Sequence, residues 1–204
     1  MARKKLTNLI LHVSATPEGR DVTPQQVLRM HMGPCDNKNG TVTYKGKVYP
    51  NRAALPKENL YGYPIAKMKG RGWSRPGYSK IITLDGFVHV IIQDNGDQWV
   101  DDNEITYGAT GMNSFSKHIC LIGGMTKDMK AAKDTRTPEQ LESLKKEVLD
   151  ILKKHPDIKI GGHNQYSAKA CPCFSVPKWL ESIGVDKKNI DYSDPYGYVK
   201  RYNA

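Results

Sequence analysis

The chain has no long hydrophobic run. None of its apolar stretches approaches the ~20 residues that a membrane-spanning helix needs. Acidic residues are in short supply, 21 Asp and Glu against 31 Lys and Arg, which leaves a net charge of +10. Such a surface draws polyanions and lets them go as salt rises. Cysteine is also scarce. Cys35, Cys120, Cys171 and Cys173 permit two bridges, but their spacing does not resemble the dense framework of a small secreted domain. Aromatic residues make up 8%, and mean hydropathy is −0.60, so a soluble protein is expected. With 204 residues, the chain is long enough to bury a core without such staples.

The start, Met1 to Lys5 followed by the apolar Leu6 to Val13, imitates a signal peptide. Asn8 and His12 interrupt it, and no small-residue cleavage site follows, so it reads as a basic lead-in to a buried strand. Leu9 to Val13 is that strand. Thr23-Pro24 reads as an N-cap with proline at the first helical position, opening a helix to about His31. Residues 34–72 are rich in Gly, Pro, Asn and Lys. They read as an excursion with a hairpin at Thr41–Tyr49, then an irregular loop with little core of its own.

The strongest hairpin signal is Ser79 to Leu84, Asp85-Gly86, and Phe87 to Ile92. Lys117 to Ile122 reads as a buried strand ended by Gly123-Gly124. Cys120 inside it reads as a buried free thiol. Thr137-Pro138-Glu139-Gln140 is a capping-box pattern, and Leu141, Leu144, Val148, Ile151 and Leu152 follow at helical spacing. Ile158 to Ile160 is a further strand, and Val176 to Ile183 a last short helix. The pattern predicts a single α/β domain: a central mixed β-sheet flanked by helices, over residues 1–185, with the 34–72 insertion. A polar tail would cover 186–204.

The candidate chemistry lies in His12, at the end of the first strand, and in His163 and Cys171, after a strand and two glycines. Catalytic zinc commonly takes three protein ligands and keeps one position open. Two imidazoles and a thiolate suit it. The residues alone leave other readings open: His12 as a structural histidine, and His163 with Cys171-Pro172-Cys173 as a structural zinc site or redox pair. Cys173 competes with Cys171 for the ligand role. The basic charge admits nucleic acid and the carboxylate-bearing bacterial cell wall as partners, and no specific nucleic-acid motif is visible.

Four blocks, in order, resemble the type 2 N-acetylmuramoyl-L-alanine amidases. They are Leu11-His12-Val13-Ser14-Ala15-Thr16, Gly72-Trp73-Ser74-Arg75-Pro76-Gly77-Tyr78, Ile119 to Gly124, and Gly162-His163 with Lys169-Ala170-Cys171-Pro172. The chain most resembles the compact phage lysozyme-type amidases, relatives of the peptidoglycan recognition proteins. The resemblance spans most of residues 6–180. It implies that one zinc ion is held by His12, His163 and Cys171, and that Tyr78 and Lys169 are catalytic. Cys171 is favoured over Cys173 because it directly precedes proline at the family spacing. The implied reaction is hydrolysis of the amide bond between N-acetylmuramic acid and the L-alanine of the stem peptide.

The chain departs from the family pattern in three places. Tyr107-Gly108-Ala109-Thr110-Gly111 lacks the histidine many members carry, which leaves Tyr107 and Asn113 as candidate substrate contacts. Ser79 stands where many have histidine, and 34–72 is long. His31, His89, His118 and His155 match no motif and read as structural or surface residues. The alternatives are a non-catalytic peptidoglycan-binding protein, or an amidase with a second, regulatory role. The expected partner is bacterial peptidoglycan, with no obligatory nucleic acid and no membrane span, and a monomer is the expected state. The expected setting is phage-like: host cytoplasm, with access to the wall after membrane breach, or export by an unrecognised route.

Overall fold

Alternation along the first strand decides which face of the sheet becomes the core. In the computed structural model, which describes residues 3–203, Asn8–Val13 pairs in parallel with Ser116–Leu121 on one side and Lys159–Gly162 on the other. Lys80–Ile82 adds in parallel to the outer edge of Ser116–Leu121, and Val88–Val90 pairs antiparallel to it. The result is a mixed five-stranded sheet in the order 88–90, 80–82, 116–121, 8–13, 159–162. The Asp85-Gly86 turn joins the antiparallel pair, with Gly86 at φ +80°, a conformation that glycine adopts without a Cβ penalty.

Leu9, Leu11, Val13, Ile119, Leu121 and Ile82 point to one face and are almost fully buried. Leu144 and Val148 of the helix Pro138–Lys154 pack into the same core, both at 0% exposure. Each such side chain contributes about 1.5–3 kcal/mol by burial. The expected capping box forms: Thr137 accepts from the Gln140 amide, and Gln140 reaches back to Thr137. The Gln140 amide nitrogen also donates to the Ile82 and Ile122 carbonyls at 3.1 and 3.0 Å, which ties the helix to the sheet. Lys80 and Glu147 add a half-buried ion pair.

The opposite face carries Ile10, His12, His118, Cys120 and Ile81. Parallel register sets Cys120 beside His12, and Ile81 beside Cys120. All five are buried.

The chain divides into two compact units. One comprises Met1–Val22 with Tyr78–Ala204 and holds the sheet; the other is Thr23–Gly77. The second is wider than the 34–72 excursion and takes in the helix Pro24–Met32, capped by Thr23 as its sequence predicts. It also has a core, contrary to expectation: Val42, Tyr44, Leu55, Ile65 and Met68 are each buried together. These residues are scattered through a loop-like sequence, so no periodicity announces them. Thr23–Gly77 contains ten Lys and Arg but two acids, Asp36 and Glu58, and therefore +8 of the net +10. Both acids are engaged, Asp36 by Arg52 and Lys69 and Glu58 by Lys45.

The polar segment after Asp186 is built into the sheet unit. Asn189 donates to the Pro156 and Ile158 carbonyls, the Asp191 amide to Ile160, and Ile190 and Val199 are buried. All four cysteines are free thiols. No helix among the described residues is long and apolar enough to cross a membrane.

Candidate metal centre

His12 is the penultimate residue of its strand, on the face opposite the helix-packed core, and is 1% exposed. His163 begins a short 3-10 turn directly after the neighbouring strand. Gly162 before it tolerates no side chain. A Cβ there would lie 2.6 Å from Asn164 Oδ1 and 2.7 Å from Pro172 Cδ. That close approach brings the Cys171-Pro172 segment against the turn, where the Asn164 amide donates to the Cys171 carbonyl at 2.6 Å.

His12, His163 and Cys171 thereby converge, with one ligand atom from each lying within 4.8 Å of the others. His12 Nδ1 is 3.8 Å from Cys171 Sγ, and the two imidazole centroids are 4.6 Å apart. Zinc bonds of about 2.0–2.1 Å to nitrogen and 2.3 Å to sulfur set tetrahedral edges of roughly 3.3–3.6 Å between donors. The 3.8 Å between His12 Nδ1 and Cys171 Sγ lies just outside that range. Two nitrogens and one sulfur suit a borderline-soft ion such as zinc, and three ligands leave a coordination position open. These residues could hold one metal ion.

Burial pushes the Cys171 thiol up to about 12. The Val13 amide, donating to Sγ at 3.2 Å, and the Lys169 charge pull against it, while the Cys173 thiol adds to it. Cys173 faces elsewhere: its Sγ donates to the Gly124 carbonyl at 3.2 Å. The structure thus separates two cysteines that the sequence leaves in competition.

Tyr78 is half-buried, its ring centroid 5.0 Å from that of His12. Ser79 fixes the position: its amide and hydroxyl both donate to the His118 carbonyl at 2.9 Å. Ser79 is therefore a strand fastener. Tyr78 also hydrogen-bonds the Cys120 thiol, which burial and the Cys171 thiol hold well above its ordinary range. Lys169 is exposed, two residues before Cys171. Tyr107 and Asn113 belong instead to the loop entering the Ser116–Leu121 strand. Asn113 turns its carboxamide oxygen onto the Ala109 amide at 2.8 Å and so closes its own loop.

One residue escaped the sequence reading. His118, read as structural or surface, is 0% exposed and places Nδ1 3.0 Å from His12 Nε2. Burial, with His163 adding, pulls its imidazole down to about 3, so it is neutral. Strand alternation held a usable signal. His118 lies two before Cys120, hence on the same face, and the parallel register brings that face to His12.

A family profile described as N-acetylmuramoyl-L-alanine amidase matches residues 3–174. The endolysin of Escherichia phage T7 is 32% identical over 131 residues, which cover 63% of this chain and 80% of that protein. Among solved structures, the endolysin of Thermus scotoductus bacteriophage Ph2119 superposes with a TM-score of 0.54 at 17% identity, over 90% of this chain and 87% of that one. An N-acetylmuramoyl-L-alanine amidase of Clostridium intestinale gives 0.54 at 17% identity, over 91% and 92%. At that identity the two structures speak for the fold alone.

Proposed function

Because the chain belongs to the N-acetylmuramoyl-L-alanine amidase family, we propose that it hydrolyses the amide bond between N-acetylmuramic acid and the L-alanine of the stem peptide, using one zinc ion held by His12, His163 and Cys171. The observation that carries this reading is the meeting of those three donors beside Tyr78 on one sheet face. Zinc, when bound, supplies Lewis-acid activation of water and of the scissile carbonyl.

The chain's own groups account for the remaining steps. Water oxygen adds to the lactyl carbonyl carbon, and the carbon–nitrogen bond then breaks. The Tyr78 hydroxyl orients the water and relays its proton towards the departing alanine nitrogen. The Lys169 ammonium meets the negative charge that grows on the carbonyl oxygen. Exposure suits Lys169, since it must reach a substrate arriving from solvent. Tyr107 and Asn113 are assigned to substrate contact, with Asn113 acting through the shape it gives its loop.

The proposed partner is bacterial peptidoglycan. The Thr23–Gly77 unit, with its +8 charge, suits retention on a polymer that carries stem-peptide carboxylates. All five metal-binding and catalytic residues come from one chain, so a monomer suffices. Relatives named as phage endolysins support a lysis setting in which the wall is reached after membrane breach.

The test is incubation of zinc-loaded protein with purified peptidoglycan, reading new L-alanine amino termini. Their release at the rate of a genuine amidase is expected. A fully zinc-loaded protein that pellets with the wall but releases none would establish the binding-protein alternative.

A further inference from the structure

We infer that His118 is a positioning residue that selects the tautomer of His12, by accepting its Nε2 proton and so leaving Nδ1 as the metal-facing lone pair. The inference rests on the reading of His12, His163 and Cys171 as the metal site.

A neutral imidazole has one N–H and one lone pair. The 3.0 Å contact between His12 Nε2 and His118 Nδ1 holds one proton. If His118 donates, His12 must carry its hydrogen on Nδ1, the atom facing Cys171 Sγ at 3.8 Å, and ligation is blocked. If His12 donates, Nδ1 is free to ligate. His118 then carries its own hydrogen on Nε2.

That second nitrogen of His118 is buried and has no hydrogen-bond partner among the described residues. No other protein group among the described residues therefore dictates the tautomer of His118, and it can accept whenever His12 ligates. An orphaned buried N–H is costly to the fold. The pair fits a function in orienting the ligand better than one in holding the sheet together.

The choice of partner also sets the charge of the site. A ligating histidine more often donates to a carboxylate, a backbone carbonyl or water. A carboxylate here would cancel the last positive charge of a zinc–thiolate centre. An imidazole that accepts this proton through its lone pair is uncharged, so it fixes the ring equally well and leaves that charge in place for polarising a carbonyl. Its position is held by the parallel register with the His12 strand and by the Ser79 clasp on its carbonyl.

The test compares wild type, His118→Asn and His118→Leu. Asparagine can place its carboxamide oxygen where Nδ1 stood; leucine cannot accept. Zinc affinity is read by competition with a chromophoric chelator, apo stability by thermal melting, and the His12 tautomer by long-range 1H–15N NMR of the zinc-loaded wild type. His118→Leu should bind zinc about 10- to 100-fold more weakly, with the apo melting temperature separating this loss from any general loss of stability. His118→Asn should recover most of the affinity, and His12 should carry its proton on Nε2. Equal zinc affinity in wild type and His118→Leu overturns the inference, as do equal losses in both variants or a proton on His12 Nδ1. A wild type that takes up no zinc would refute the metal site itself, and the inference with it.

Discussion

Acid should loosen the Thr23–Gly77 unit through one side chain, His31. It sits on the helix Pro24–Met32 at 8% exposure, stacked on Trp73 with ring centroids 5.1 Å apart. Its Nδ1 accepts the Gly77 amide proton at 3.2 Å, a role open only to an unprotonated nitrogen. Burial first, and the Arg71 charge second, pull its pKa down to about 4. In the unfolded chain it returns to about 6.5. Between these values the unfolded state binds the proton and the folded state refuses it. The stabilisation is therefore complete above about pH 6.5, falls as pH drops towards 4, and levels off below. At about 1.4 kcal/mol per pH unit, the loss amounts to roughly 3 kcal/mol. Hydrogen exchange of the Gly77 amide between pH 7 and 4, in wild type and His31→Gln, measures it. The variant should be weaker at pH 7 and its opening free energy markedly flatter with pH. Parallel curves for the two proteins would refute the reasoning.

Cys171→Ser should lose both zinc and activity, whereas Cys173→Ser, whose sulfur faces the Gly124 carbonyl, should keep its zinc by elemental analysis. The reverse pattern would reassign the ligand. Tyr78→Phe should lower turnover about 10²- to 10⁴-fold, and Lys169→Met about 10²- to 10³-fold, each with zinc content unchanged; a full-rate variant removes that residue from the mechanism. Replacing exposed Lys38, Lys47, Lys57 and Lys67 together by Gln should shift release from purified peptidoglycan to lower salt. Turnover of a soluble muropeptide should stay within about two-fold of wild type, a margin worth well under 1 kcal/mol. Unchanged pelleting at every salt concentration would show that the basic unit plays no part in retention.

The strands and caps were legible because each carries a local cause. Thr23 and Thr137 sit before proline with a glutamine three residues on, and both build the capping box that spacing implies. Asp85-Gly86 turns where expected. What escaped depends on partners distant in sequence. The core of Thr23–Gly77 is assembled from Val42, Tyr44, Leu55, Ile65 and Met68, which share no period. His118 could be placed beside His12 only once the register of two strands was known, because a one-residue slip would have turned it to the helix side. The segment after Asp186 reads as polar because its anchors, Ile190 and Val199, stand singly among charged residues.

The parallel pairing that flanks the His12 strand also bears on when the protein can act. Cys171 meets His12 across 159 positions, and no fragment ending before the last strand contains both. Parallel pairs between distant segments close late, since the chain must give up its freedom before any contact repays the loss. A chain still emerging from the ribosome holds one half of the centre and then waits for the other. On the proposed ligand set, a chain cut short before Cys171 lacks one of the three metal donors, so its zinc content would report whether synthesis had run that far.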